Sequence, residues 1–175
     1  VILVNFSGSA VGLVPESQNC DAILQAWYPG QMGGTAIADV LFGKVNPSGK
    51  LPLTFYRSVD QLPHFENYDM EGHTYRYFRG EPLFAFGHGL SYTTFEYGKP
   101  KISSKTFVDD EGLKITVDVT NTGKRAGKEI VQLYIGNLKS SEDRPAKELK
   151  DFKKISLEPG ETKTVEFEIN GEELL

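Results

Sequence analysis

The chain has 175 residues, which is long enough for one well-packed core or for two small units. Apolar residues make up 39%, charged residues 25%, and the net charge is −5. With a pI of about 5.3 the protein lacks the basic surface that phosphate binding requires, so no nucleic-acid partner is expected. No membrane contact is expected either, because no apolar run approaches the roughly 20 residues of a spanning helix.

The first residues carry the pattern of buried strands. Residues 1–6 form a continuous β-rich apolar run, which is typical of a strand buried on both faces of a sheet. Such a run is unusual at a natural N-terminus, so we expect the chain to be part of a longer protein. Residues 22–27 predict a second short strand, because the turn signal Pro29-Gly30 follows directly.

A helix and an extended segment complete this first region. Residues 34–43 predict a helix, since apolar side chains recur at helical spacing and Gly43 suits a left-handed helix end. After a turn at 46–49, residues 51–55 predict an edge strand. Two strands, a helix and an edge strand together indicate that residues 1–56 are the C-terminal part of an α/β domain.

Residues 57–98 show no regular periodicity and are rich in aromatic residues. Flexible linkers are poor in aromatic residues, so we predict an ordered, irregular connecting segment. Its aromatic residues include Tyr68, Tyr75, Tyr77, Phe78, Phe84, Phe86 and Tyr92. The three histidines of the chain, His64, His73 and His88, lie in this segment as well.

Residues 99–175 predict an antiparallel β-sandwich. Strict alternation of apolar and polar residues over 113–119, 129–135 and 164–169 marks half-buried strands, and 154–157 adds another. A first strand is expected around Lys101 to Phe107. A seven-stranded sandwich would need more chain than this, so we expect the unit to be truncated. The predicted fold class is therefore mixed: a small α/β tail followed by an antiparallel sandwich.

Several long stretches resemble family 3 glycoside hydrolases. The segments QAWYPGQ (25–31), GGTAIADVLFG (33–43) and NPSGKLPLTF (46–55) are similar to the second domain of that family. The segment FGHGLSYTTF (86–95) resembles the stretch that leads into its last domain. The segments VDVTNTGKRAG (117–127), RP (144–145), LKDF (149–152) and LEPGE (157–161) resemble its fibronectin type III-like domain.

One segment suggests a subfamily. DMEGHTYRYF (69–78) looks more like β-xylosidases and xylosidase/arabinosidases than like many β-glucosidases. The xylosidase form often carries Arg where this chain has His73, which is a departure from that pattern.

The resemblance implies retaining hydrolysis of a terminal β-linked sugar, without a cofactor. That chemistry requires two carboxyl groups about 5–5.5 Å apart, one as nucleophile and one as acid/base. The resemblance places the nucleophilic Asp in an N-terminal barrel and the acid/base Glu upstream of Val1. We therefore expect no catalytic residue in this chain, which would be an accessory part of the enzyme and inactive alone.

A mixed cluster within residues 69–76 is the best candidate for a contact with substrate. It combines carboxylates, a histidine, an arginine and aromatic rings, as sugar sites do. We predict that it borders the sugar pocket of the intact enzyme. The alternative is a structural role, in which Arg76 pairs with a carboxylate and the aromatic rings pack together. The candidate residues are Asp69, Met70, Glu71, His73, Tyr75 and Arg76.

Other candidate sites are weaker. The three histidines have neither ligand spacing nor an adjacent cysteine, so no metal site is expected. The lone Cys20 suits a half-buried thiol. Residues 30–34 lack the Lys-Ser/Thr ending of a phosphate loop, and residues 7–9 lack the frame of a nucleophile elbow.

A different class of function is also compatible with the sequence. The alternative is a carbohydrate-binding or protein-interaction sandwich, and a carbohydrate-binding one would need two or three coplanar aromatic rings on one exposed face. The aromatic residues after position 101 are few: Phe107, Tyr134, Phe152 and Phe167. The family resemblance further implies a periplasmic or extracellular setting and an oligosaccharide substrate bound through upstream domains. It is also compatible with a homo-oligomer.

Overall fold

The computed structural model describes residues 1–106, 112–137 and 144–171. The chain forms two compact units. The first comprises Val1–Val45, Lys50–Gly89 and Gly136–Lys147; the second comprises Asn46–Gly49, Leu90–Ile135 and Glu148–Leu175. The domain limits at residues 56 and 98 stay a sequence prediction. No helix in the described ranges is long and apolar enough to span a bilayer.

A small parallel sheet opens the first unit. Strand β1 (Ile2–Asn5) pairs in register with strand β2 (Ala22–Gln25), so both predicted strands are confirmed. The burial predicted for β1 is wrong, because Ile2 is 51% exposed. The reason is that β2 is the one strand paired with β1 in the described residues, which leaves the apolar run partly uncovered.

Two helices belong to this sheet region. Helix α1 (Val14–Asn19) connects β1 to β2 and was not anticipated from the sequence. It is a six-residue helix that begins at a Val-Pro pair and follows the buried Leu13. Helix α2 (Gly33–Leu41) agrees with the predicted one, and Gly43 has the expected positive φ of 73°.

Residues 51–55 do not form the predicted edge strand. They pair through the backbone with residues 83–88 at a few points, and Phe55 makes an isolated antiparallel bridge with Phe84. Pro52 has no N–H to donate, which prevents a continuous ladder. Between these paired segments the chain makes a 3₁₀ turn at Val59–Gln61 and one short helix, α3 (Thr74–Tyr77).

The second unit is a sandwich of two antiparallel sheets, as predicted. Its strands are β3 (Phe95–Tyr97), β4 (Lys101–Ile102), β5 (Leu113–Asn121), β6 (Gly127–Ile135), β7 (Glu148–Leu157) and β8 (Thr162–Ile169). In the larger sheet, β5 has β8 on one side and the two short strands β3 and β4 on the other; β6 pairs with β7 in the second sheet. The predicted first strand is thus the two-residue β4, and Phe107 lies outside the described residues.

Alternation along the strands explains the sandwich core. Val119 of β5, Val131 of β6, Leu157 of β7 and both Val165 and Phe167 of β8 are buried in one cluster. Their neighbours along each strand point to the opposite face, as a period of two requires. Both sheets contribute to this cluster, so the two sheets pack face to face.

A buried asparagine joins the ends of several strands. Asn121, which is completely buried, accepts hydrogen bonds through Oδ1 from the Thr93 hydroxyl (2.7 Å) and the Gly123 amide (3.1 Å). Its amide nitrogen donates to the carbonyl oxygens of Arg125 (2.8 Å) and Leu157 (3.0 Å). Every hydrogen-bonding group of this side chain is therefore satisfied, as burial demands.

We predict that Asn121→Ala destabilises the sandwich by about 2–4 kcal/mol, because it leaves several buried polar groups without partners. Hydrogen exchange of the β5 and β8 backbone amides measures this loss locally. Lys124→Ala, at an exposed position three residues away, serves as the control and should change stability by less than about 0.5 kcal/mol. Equal protection in wild type and Asn121→Ala would contradict the prediction.

Candidate functional site

The predicted substrate-contact residues lie on an excursion of the first unit that is closed at its base. The Phe55 amide donates to the Phe84 carbonyl (2.9 Å), and the amides of Leu83 and Phe84 donate back to the Phe55 carbonyl (2.8 and 3.1 Å). Phe55 is only 1% exposed, and its ring makes edge contacts with Trp27 and Phe84. The two ends of the segment 56–82 are therefore held together by this backbone bridge.

Residues 64–73, here called the contact loop, hold their shape through local hydrogen bonds. The Asn67 amide donates to the His64 carbonyl (2.8 Å), and the Asn67 side chain accepts from the Asp69 amide (2.9 Å). The His73 amide donates to the Met70 carbonyl (3.0 Å), closing a tight turn.

Gly72 determines the course of that turn. Its φ of 75° lies in the left-handed region, which glycine adopts without a steric penalty. A Cβ atom at this position would also approach the Pro63 ring to 3.0 Å. The contact loop therefore depends on glycine at this point for both conformation and space.

The His73 ring is oriented by the backbone of the same loop. Its Nδ1 lies 2.8 Å from the carbonyl oxygen of Asp69. A carbonyl oxygen only accepts hydrogen bonds, so Nδ1 carries the hydrogen in this contact. The other ring nitrogen, Nε2, has no partner among the described residues.

Thr74, which follows His73, has a strained backbone. Its φ is 54°, in a region that β-branched residues rarely adopt. Two contacts of the surrounding structure hold this residue: the Thr74 hydroxyl accepts from the Arg76 amide (3.3 Å), and the Thr74 backbone is hydrogen-bonded to the Tyr56 phenol. Burial raises the pKa of Tyr56, and that hydrogen bond opposes the rise. Strain of this kind is often found at functional sites.

Two of the predicted site residues have structural contacts. The Tyr75 ring stacks on Phe86 with centroids 4.0 Å apart and an interplanar angle of 13°. The Arg76 carbonyl accepts from the Ala146 amide (2.8 Å), which ties α3 to the segment before β7. Tyr75 and the Arg76 backbone therefore anchor the segment that follows the contact loop.

The contact loop itself presents side chains to solvent. Asp69, Met70 and Glu71 are exposed, and neither carboxylate has a partner in the described residues. Phe65 and Tyr68 are 90% and 89% exposed, respectively. Phe65 was missed from the sequence, although an aromatic residue flanked by His64 and Glu66 is a recognisable signal of an exposed ring.

A second group of aromatic residues lies near the base of the excursion. The His88 ring is stacked at 5.5 Å from Phe84, and the Lys50 ammonium donates to the Gly89 carbonyl (3.2 Å). Burial, with the nearby Lys50 charge, lowers the pKa of His88. These contacts favour a neutral His88, whose side chain stays partly exposed beside Phe84.

The described parts of the second unit offer no comparable ring platform. Within the described residues of β5–β8, Phe152 is the one strongly exposed aromatic side chain (59%), whereas Phe167 is buried. Tyr97 of β3 donates its hydroxyl to Glu129 (2.8 Å), and burial, followed by that bond, raises the Tyr97 pKa strongly. Among residues 1–106, 112–137 and 144–171, no group of three or more His, Cys, Asp or Glu side chains could hold a metal ion.

Comparison with known proteins places this architecture in a family. Residues 1–92 match the model of the glycosyl hydrolase family 3 C-terminal domain. The chain belongs to glycosyl hydrolase family 3. Residues 129–175 match the fibronectin type III-like domain that the sandwich resembles. The chain corresponds to the C-terminal part of family members.

Relatives match nearly the whole chain. It is 52% identical to the xylan 1,4-beta-xylosidase of Xylanibacter ruminicola, covering 99% of this chain and 20% of that protein. It is 47% identical to the periplasmic beta-glucosidase of Salmonella typhimurium, covering 99% of this chain and 24% of that protein. The structure of beta-glucosidase 3B from Thermotoga neapolitana in complex with glucose matches with a TM-score of 0.89 and 40% identity, over 99% of this chain and 26% of that one. The chain thus spans about a fifth to a quarter of the length of these relatives.

We predict that Thr74→Asn stabilises the first unit by about 1 kcal/mol, because Asn tolerates a positive φ and can still accept from the Arg76 amide. Thr74→Val keeps the strain and removes the acceptor, so it should destabilise the unit by a similar amount. Urea unfolding followed by fluorescence of Trp27, the single tryptophan, measures both effects. A loss of stability in Thr74→Asn would contradict the strain argument.

Proposed function

We propose that this chain is the accessory C-terminal portion of a retaining exo-acting β-glycosidase that removes terminal xylose or glucose from oligomers of plant polysaccharides. The observation that carries the proposal is the match of residues 1–92 to the family 3 C-terminal domain. Relatives named as a xylosidase and as a β-glucosidase support both sugars. The name of the Salmonella relative supports a periplasmic or extracellular location.

The catalytic carboxylates of this enzyme lie in the upstream part of the polypeptide. Retaining hydrolysis requires two carboxyl groups about 5–5.5 Å apart on either side of the scissile bond. We infer from the resemblance that both groups belong to segments before Val1. The present chain contributes the end of the α/β domain and the sandwich, and oligosaccharide is bound together with the upstream domains.

Within this chain, the segment 69–76 borders the sugar pocket of the complete enzyme. The carboxylates of Asp69 and Glu71, which have no partner among the described residues, can accept hydrogen bonds from sugar hydroxyl groups. The exposed Met70 and the His73 ring lie on the same turn, and Tyr75 and Arg76 follow on α3. Their arrangement on a closed, internally bonded excursion supports a positioned contact surface.

A carbohydrate-binding role for the sandwich by itself is less well supported. Such a surface needs several coplanar exposed rings, whereas Phe152 is the one strongly exposed ring in the described residues of β5–β8. The sandwich is instead proposed to serve stability and docking within the enzyme.

We predict that the 175-residue chain alone does not hydrolyse 4-nitrophenyl β-xyloside or β-glucoside above the uncatalysed rate. Release of nitrophenol over time is the measurement, and the full-length polypeptide that carries this chain is the positive control. Turnover by the chain alone at the rate of an ordinary glycosidase would refute the assignment of the carboxylates. Retardation of the chain in gels that contain xylan would favour the carbohydrate-binding alternative.

We predict that Asp69→Asn and Glu71→Gln each raise the KM of the full-length enzyme roughly tenfold, with little change in kcat. An amide oxygen accepts a weaker hydrogen bond than a carboxylate does, so ground-state and transition-state binding weaken alike. Glu66→Gln is the matched control, because this exposed carboxylate of the contact loop lies outside the predicted set. Unchanged KM values in both test variants would assign segment 69–76 a structural role only.

A further inference from the structure

We propose that His73 is a sugar-binding residue that accepts a hydrogen bond from a sugar hydroxyl group through Nε2, with the Asp69 carbonyl fixing its tautomer. The inference rests on the proposed function and assigns a specific role within it. The observation that suggests it is the short contact between His73 Nδ1 and the Asp69 carbonyl oxygen (2.8 Å).

The hydrogen bond to Asp69 determines which ring nitrogen of His73 carries a hydrogen. Since the Asp69 carbonyl has no hydrogen to give, the bond requires a hydrogen on Nδ1. In the neutral imidazole, Nε2 then has a free lone pair and acts as an acceptor. For the neutral ring, the same backbone contact thus determines both the direction in which the ring points and the acceptor character of Nε2.

The backbone around His73 is held in place by hydrogen bonds. The His73 amide donates to Met70 (3.0 Å), and the His73 carbonyl accepts from the Tyr77 amide (3.3 Å). Gly72 on one side and the strained Thr74 on the other each have a positive φ, which fixes the chain direction on both sides of the ring. A ligand that binds to Nε2 would therefore meet a side chain that has already lost most of its rotational freedom.

The acceptor groups of residues 69–73 indicate the kind of ligand that this turn would bind. His73 Nε2 and the carboxylates of Asp69 and Glu71 are three acceptors on five consecutive residues, and no partner for them exists in the described residues. A matching ligand must supply several donors close together. Adjacent hydroxyl groups of a sugar ring do so, and the exposed rings of Phe65 and Tyr68 can cover the apolar face of the same sugar.

Two substitutions separate the two nitrogens of the ring. Asn at position 73 places an amide near the position of Nδ1, so it can keep the bond to Asp69 but has no acceptor at the position of Nε2. Gln places its amide near the position of Nε2 and gives up the bond to Asp69. If His73 binds sugar, His73→Asn should have a higher KM than His73→Gln. If its role is structural, His73→Gln should have the higher KM.

The experiment uses the full-length enzyme and measures kcat, KM and thermal stability with 4-nitrophenyl β-xyloside and β-glucoside. We expect His73→Asn to raise KM roughly threefold to tenfold, as loss of one neutral hydrogen bond would, with kcat and stability near wild type. His73→Gln should recover part of the affinity and lose stability. A wild-type KM in His73→Asn, or a higher KM in His73→Gln than in His73→Asn, would overturn the inference.

Substrates in which single hydroxyl groups are replaced by fluorine identify the hydroxyl group that donates, since fluorine cannot donate a hydrogen bond. For one position of the sugar, the replacement should weaken binding to the wild type and have no further effect in His73→Asn, a coupling that a structural role does not produce. If the wild-type enzyme cleaves neither aryl glycoside, the proposed function fails together with this inference. If it cleaves them and no position shows coupling, only the role of His73 is refuted.

Discussion

The backbone bridge between Phe55 and Phe84 is the constraint on which the candidate site depends. Residues 56–82 contain few regular hydrogen bonds of their own, and a free loop of that length would have a large conformational entropy. Fixing its two ends at a buried pair removes part of that entropy. Because Phe55 is almost inaccessible to solvent, opening the bridge would also expose the contact of its ring with Trp27. The bridge at the base therefore limits the conformational freedom of the irregular segment that carries the candidate residues.

The strands of the sandwich could be predicted from the sequence because their information is local. Alternation over 113–119 and 164–169 places Val119 and Phe167 on the buried face without knowledge of the partner strand. The short strands β3 and β4 lack that signal, since two or three residues cannot establish a period, and their existence depends on pairing with β5. Residues 51–55 show the opposite failure: an apolar, extended pattern was present, but Pro52 and the distant partner segment prevented a ladder.

The candidate site was predictable in composition and not in geometry. Carboxylates, aromatic rings and a histidine within residues 69–76 are visible in the sequence, and they indicate a polar, ring-containing surface. The bond from His73 Nδ1 to the Asp69 carbonyl depends on the positive φ at Gly72, a property that residue types alone do not specify. Tyr75 illustrates the same limit, because only the fold shows that its ring is stacked on Phe86.

The charges of the excursion restrict the ligands that would suit the proposed contact surface. Between Arg57 and Arg76 the sequence contains four acidic residues and no Lys or Arg: Asp60, Glu66, Asp69 and Glu71. The negative potential of this stretch disfavours phosphorylated or carboxylated ligands, since carboxylates repel a further anion at short range. A neutral sugar avoids that repulsion and can donate to the same carboxylates through its hydroxyl groups. Charge, hydrogen-bond polarity and exposed aromatic surface thus independently favour the same class of ligand, an uncharged saccharide.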